Sequence, residues 1–144
     1  MNTQRLLERG DLRKKTVEPA VIQSLIETIE MTATGTLAIP CTPQNAIIIF
    51  RELYECLRQL GDILWWMEGY EPQTHDASIA LLKEQRVREQ QLLQHIDRYK
   101  MIRHDINYRA FRSTKEQAEE LRTFWNVIGK DILDQIKEKT TWTP

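Results

Sequence analysis

Cysteine is nearly absent from this chain. Among 144 residues only Cys41 and Cys56 occur, in no C-x-x-C arrangement, so neither a disulfide framework nor a thiolate zinc site is expected. The three histidines, His75, His95 and His104, have no close pairing in sequence, so no metal and no other cofactor is expected. Glycine and proline are scarce at five each and are read as punctuation between periodic segments, which favours long helices with short joints. The longest apolar runs, such as residues 46–50, are far too short to span a bilayer. The opening MNTQRLLERGDLRKK lacks the apolar stretch of a secretory signal. A formal net charge of -1 gives no global pull toward nucleic acid or membrane, so any attraction must be local. A cytoplasmic protein with no membrane association is expected.

What is present is helical periodicity. Hydrophobic content of 41% and charged content of 28% are those of a soluble globular chain, long enough to bury a core as one domain over residues 1–144. Residues 1–16 read as a flexible arm and 140–144 as a tail. A first helix runs from about Pro19 with Ile22, Leu25, Ile26, Ile29 and Ala33 on one face, ending by Gly35 or Pro40. A second opens with Thr42 as N-cap and Pro43 in the first helical position. Its seam is Ala46, Phe50, Leu53, Leu57, Leu60, Leu64 and Met67, spaced by four and three. Ile49, Cys56 and Ile63 widen it on one flank, and Ile47, Tyr54 and Trp65 on the other. An arc that wide predicts contact with more than one neighbour, within a bundle or across a homodimer. Gly69 ends this helix in the left-handed conformation, with Pro72 beyond.

A third region over residues 74–102 carries Ile79 and Leu82 at its start and Leu92, Ile96 and Tyr99 at its end, with Thr74 as its cap. The polar KEQRVREQQ between them predicts a break. The last helix opens with Ser113 and Glu116 as a capping box, and its core face is Ala118, Leu121, Trp125, Ile128, Ile132 and Ile136. No strand periodicity and no internal repeat is visible. The fold expected is all-α, an antiparallel up-and-down four-helix bundle with a possible break in the third helical region.

Two stretches carry a family resemblance. LGDILWWMEGYEPQTHDASIALL, residues 60–82, resembles the helix end, Gly-x-x-Pro-x-Thr-His turn and following helix of HEPN (higher eukaryote and prokaryote nucleotide-binding) domains, in their small stand-alone microbial members. RHDINYRAFRSTKEQAEELRTFW, residues 103–125, resembles their Arg-x-x-x-Asp-Tyr stretch and the start of the final helix. The likeness covers most of the chain from about residue 17. It implies a four-helix bundle, a homodimer and, for many members, a minimal nucleotidyltransferase partner in a toxin–antitoxin or stress-response setting. Many members cut RNA without metal through an Arg-x(4–6)-His motif; others lack it and bind ligands, nucleotides or proteins.

Metal-free RNA cleavage needs a base for the ribose 2′-hydroxyl, an acid for the leaving oxygen and cationic donors for the phosphorane. Histidine suits the first two roles and arginine the third. Arg103 stands where the motif arginine falls, but the matching histidine position holds Tyr108, a poor general base at pH 7. A shifted match pairs Arg98 with His104, which also adjoins Arg103. The catalytic candidates are therefore Arg103, His104 and Tyr108. The ligand-binding candidates are Arg98, Arg103, Asn107, Arg109, Arg112 and His75.

Arg98, Lys100, Arg103, Arg109, Arg112 and Lys115 form a local basic cluster that suits phosphate, or that pairs with Glu116, Glu119 and Glu120 in a solvated helix joint. The N-terminus of the last helix, near Ser113, adds a field favourable to an anion. Trp66 falls with Ile48 on the polar face of the second helix, as an interface or stacking residue or as ordinary packing. The function expected is a homodimeric HEPN-like module binding a nucleotide, RNA or protein partner. An active endoribonuclease and a purely structural interaction module are the alternatives.

Overall fold

The computed structural model describes residues 2–140 of a chain that is mostly helical. Its elements are α1 (Thr3–Glu8), β1 (Leu12–Lys14), α2 (Pro19–Leu37), α3 (Ala46–Met67), β2 (Tyr70–Pro72), α4 (His75–Ala80), α5 (Ile96–Tyr108), α6 (Lys115–Phe124) and α7 (Lys130–Thr140). Helix α3 is the axis, packing against α2, α4, α5, α6 and β2. Its seam and the flanking Ile49, Cys56, Ile63, Tyr54 and Trp65 are buried, with Ile47 and Met67 half-buried. Each fully buried Leu, Ile or Phe contributes on the order of 2 kcal/mol. The chain itself thus covers the wide apolar arc that suggested a second copy. Among the described residues of α3, only Ile48 is a large apolar side chain left exposed.

Helix α2 and the last helix run in opposite senses, since Lys137 meets Glu30 while Arg122 donates to the carbonyls of Leu37 and Ile39. The core face read for the last helix is buried throughout. Its middle, Trp125–Gly129, is a π turn that joins α6 to α7. There a β-carbon on Gly129 would run into the Trp125 ring.

Several boundaries differ from expectation. Helix α3 begins three residues after Pro43, with Asn45 in the cap position. Thr42 instead closes the preceding turn, its hydroxyl accepting from the Asn45 N–H while its own N–H donates to the Asn45 side chain. The capping box of α6 is built from Thr114 and Gln117, one residue later than Ser113 and Glu116. Ser113 is buried, and its hydroxyl has no partner among the described residues. Gly35, Gly61 and Gly129 lie inside helices, contrary to the reading of glycine as punctuation. Gly69 does end α3 with a φ of 89°.

The expected arm is not loose chain. Residues of β1 pair antiparallel with β2, Leu12 opposite Pro72 and Lys14 opposite Tyr70. Leu12 is buried against Trp65 and Ala77, and Glu71 holds Arg13 and Lys15. The short ribbon adds strand to a chain expected to have none. The third region does break: α4 is followed by 3-10 turns at Leu82–Glu84 and Gln90–His95 before α5. Of the expected tail, Thr140 still belongs to α7, and residues 141–144 lie outside the described residues.

Candidate functional site

Helix α5 is built to show two different faces. Ile96, Tyr99, Ile102 and Ile106 are buried at spacings of three and four and hold it on the core. Tyr99 makes edge contacts with Phe50 and Phe124. Lys100, Met101, Arg103, His104, Asn107 and Tyr108 recur on another face and line a cavity of about 210 Å³. Such a second stripe is the expected product of a 3.6-residue repeat. The opposite wall comes from Tyr54 on α3 and from His75 and Asp76 in the first turn of α4. Thr74 fixes that turn, its hydroxyl accepting from the Ala77 N–H at 3.1 Å, as the sequence predicted.

Helix α4 is in turn locked to α3. Gly61 packs so closely on the Ser78 carbonyl that a β-carbon there would overlap it. Beside it the Ser78 hydroxyl donates to Asp62 at 2.7 Å, and the Trp65 ring N–H donates to the Ala77 carbonyl at 2.7 Å. Arg58 bridges Glu55 and Asp62, reaching Asp62 at 3.1 Å. Burial pushes the Asp62 carboxyl above the usual carboxylate range, with the Ser78 hydrogen bond and Arg58 opposing it. Burial also raises the Tyr54 phenol to about 12, against the pull of Arg58 and Arg103. Tyr54 therefore stays a neutral hydroxyl at the back of the cavity.

The cations around the cavity are not equally compensated. Lys100 pairs with Asp76 at 2.9 Å, and Arg58 has its two carboxylates. Arg103 has neither an ion pair nor a hydrogen bond among the described residues, and its Nη1 is buried without a partner. A buried, unmatched guanidinium nitrogen is costly unless a water or a ligand supplies the acceptor. His75, His104, Asn107 and Tyr108 are exposed around it. The rings of His104 and Tyr108 touch, with centroids 4.8 Å apart and tilted by 43°.

The fold thus gathers five of the expected residues, Arg103, His104, Asn107, Tyr108 and His75, into one cavity. It does not gather the rest. Arg98 is turned to another side of α5 and pairs with Glu120, which separates it from His104 and removes the shifted motif. Arg109 leans on Asp105 at 3.7 Å, Arg112 is exposed elsewhere, and Lys115 faces Glu119 at 3.9 Å. The basic cluster is therefore spread over several faces, in part paired with acids of α6 as expected of a solvated helix joint. Neither Ser113 nor the start of α6 lines the cavity.

Trp66 is half-buried, packs on the main core and does not line the cavity. Tyr54, Asp76 and Met101 were not singled out for the site. Met101 had a signal, lying three and seven residues before His104 and Tyr108. Tyr54 had none, because a buried tyrosine in a core stripe looks like any other.

Among the described residues no cluster of three or more His, Cys, Asp or Glu side chains is placed to hold a metal, and no helix is long and apolar enough to cross a membrane. Compared with known protein families, curated proteins and solved structures, the chain matches none of them.

Proposed function

We propose that the cavity between α3, α4 and α5 binds the phosphate of a nucleotide or of RNA, in a HEPN-like four-helix bundle formed by α2, α3, α5 and the α6–α7 helix. One observation carries this reading. Arg103, which lines the cavity, keeps a buried guanidinium nitrogen without a partner among the described residues, while Arg58 and Lys100 are matched by carboxylates. The planar fork of arginine suits two phosphate oxygens, and the Asn107 amide, the Tyr54 phenol and the imidazoles of His75 and His104 offer further donors. The HEPN likeness adds a homodimer and a nucleotidyltransferase partner in a toxin–antitoxin or stress context, and the composition adds a cytoplasmic setting.

Titration of a nucleotide or short single-stranded RNA tests the reading. Binding should weaken as salt rises. Arg103→Ala should reduce affinity by about 1.5–3 kcal/mol, the scale of a charge-assisted hydrogen bond, with the helical circular dichroism unchanged. Salt-insensitive binding, or none at low salt, would leave the cavity as a helix joint.

A second reading has its own observation: two imidazoles, His75 and His104, line the same cavity as Arg103. One could take the 2′-hydroxyl proton and the other supply the leaving oxygen. Cleavage of RNA in the presence of a chelator, lost in both His75→Ala and His104→Ala, would establish it. Tyr108 sits at the position of the usual motif histidine, so Tyr108→His is the complementary gain-of-function variant.

A further inference from the structure

The rim of the cavity differs in chemistry from its floor. Tyr108 is 76% exposed and Met101 53% exposed, while the other tyrosines flanking this region, Tyr54 and Tyr99, are each 1% exposed. The Tyr108 hydroxyl makes no hydrogen bond among the described residues, and its only ring contact is with His104. An aromatic ring and a thioether held in water at the mouth of a polar cavity form an apolar surface without a protein partner. The chain leaves at once: after Arg109, Ala110 adopts a left-handed φ of 52°. Tyr108 is thus the last helical residue.

The size of the cavity says what can reach that rim. About 210 Å³ falls below the ~300 Å³ at which pockets begin to enclose a drug-sized ligand. On the phosphate-binding reading, a phosphate and part of its sugar would occupy that volume beside Arg103, and whatever the sugar carries would lie outside it. We infer that Tyr108, backed by His104 and flanked by Met101, is a stacking platform for a nucleobase whose phosphate sits on Arg103. The site is thereby assigned to base-bearing phosphates over inorganic phosphate or sugar phosphates. The base lies on the outer side of the ring pair, because rings already in contact at 4.8 Å leave no slot between them. The platform rests on the phosphate-binding reading above. It adds selectivity that a cationic floor cannot supply, and stacking on an aromatic face tolerates every base.

The test compares AMP, CMP, ribose 5-phosphate and inorganic phosphate on the full chain by calorimetric titration at low salt. AMP and CMP should each bind about tenfold more tightly than ribose 5-phosphate, within the range of base–aromatic stacking. Tyr108→Ala should erase that preference and leave the affinity for ribose 5-phosphate unchanged, and Tyr108→Phe should keep it, since the ring acts and not the hydroxyl. Equal binding of AMP and ribose 5-phosphate by the unaltered chain overturns the platform and leaves the phosphate site standing. No binding of any of the four overturns both.

A preference lost in Tyr108→Phe as well assigns the effect to the phenol and overturns stacking. If Tyr108→Ala instead turns a dimer into a monomer with the preference intact, the face is a subunit contact and the platform is refuted. A short single-stranded oligoadenylate then separates the two sources of a base-bearing phosphate. Affinity well above that of AMP points to a strand and comparable affinity to a nucleotide, and either result supports the platform if Tyr108→Ala lowers it.

Discussion

Arg58 and Arg103 both lie close enough to Tyr54 to pull its phenol down, yet the fold treats them in opposite ways. On the Arg58 side every strong group is answered: Glu55 and Asp62 take the guanidinium, Ser78 donates to Asp62, and Gly61 lets α4 close on α3. On the Arg103 side the Lys100 ammonium has its carboxylate and the guanidinium has no partner among the described residues. The same residue type therefore serves as scaffold on α3 and stands without a matching acid on α5, on either side of Tyr54. Matched charge is accounted for by the fold itself, whereas an unmatched buried cation is the kind of group on which the phosphate-binding proposal rests.

The contrast can be broken at several points. The largest effect should come from Gly61→Ala. It must force α4 off α3 against backbone, and overpacking of that kind costs about 3 kcal/mol. A melt that shows less than about 1 kcal/mol would mean that α4 is loosely held. Next comes the arginine pair itself. Arg58→Met should destabilise by about 2 kcal/mol, since it strands a mostly buried Asp62 in a partly solvated pair. Arg103→Met should change stability by less than about 0.5 kcal/mol or raise it, because it removes an unsatisfied group and keeps the apolar stem. Equal losses in urea unfolding would end the distinction between the two sides.

The caps repeat the contrast on a smaller scale. Thr114→Ala should cost about 1 kcal/mol, whereas Ser113→Ala should cost close to nothing, its hydroxyl being buried without a partner.

The gentlest probe is pH. Because burial raises Asp62, the folded chain holds that proton to higher pH than the unfolded chain, where a carboxyl titrates near about 3.9. The stabilisation from the bound proton is complete below that value and is lost as pH rises through the folded value. The stability of the unaltered chain relative to Asp62→Asn should therefore fall as pH is raised from the ordinary carboxyl value of about 3.9 upward. A flat difference would show that Arg58 and Ser78 fully offset burial.

How much of this was legible in the sequence follows from what kind of signal each part has. The seam of α3 and the core face of the last helix were legible because a 3.6-residue repeat states its buried face outright. The start of α6 was misplaced because STKEQ holds two overlapping capping boxes, and local chemistry cannot choose between Ser113 and Thr114. Thr42 misled for a related reason, since its side chain does cap, but a turn one step before α3. The ribbon was invisible, as three residues pair with three others nearly sixty positions away and only Leu12 is apolar enough to leave a trace.

At the site, Arg103 and Tyr108 were singled out by the motif resemblance, His104 and Asn107 by lying in the same short polar stretch, and His75 by following Thr74 in the other stretch of likeness. Sequence could not say that Arg98 would be drawn off by Glu120, or that Tyr54 would complete the wall, because both depend on which helices meet.

The π turn at Trp125–Gly129 bears on how this chain can change length. In a regular helix each residue advances the phase by about 100°. A deletion within α6 or α7 would therefore rotate everything after it and swing Ile132 and Ile136 off the core. Inside residues 125–129 the same loss is absorbed, because a π turn shortened by one residue is an α turn and the phase of α7 is kept. Asn126 and Val127 are exposed there, so either can go without opening the core. The last helix thus carries one spare residue, and this is the place where a one-residue deletion keeps the packing of α7.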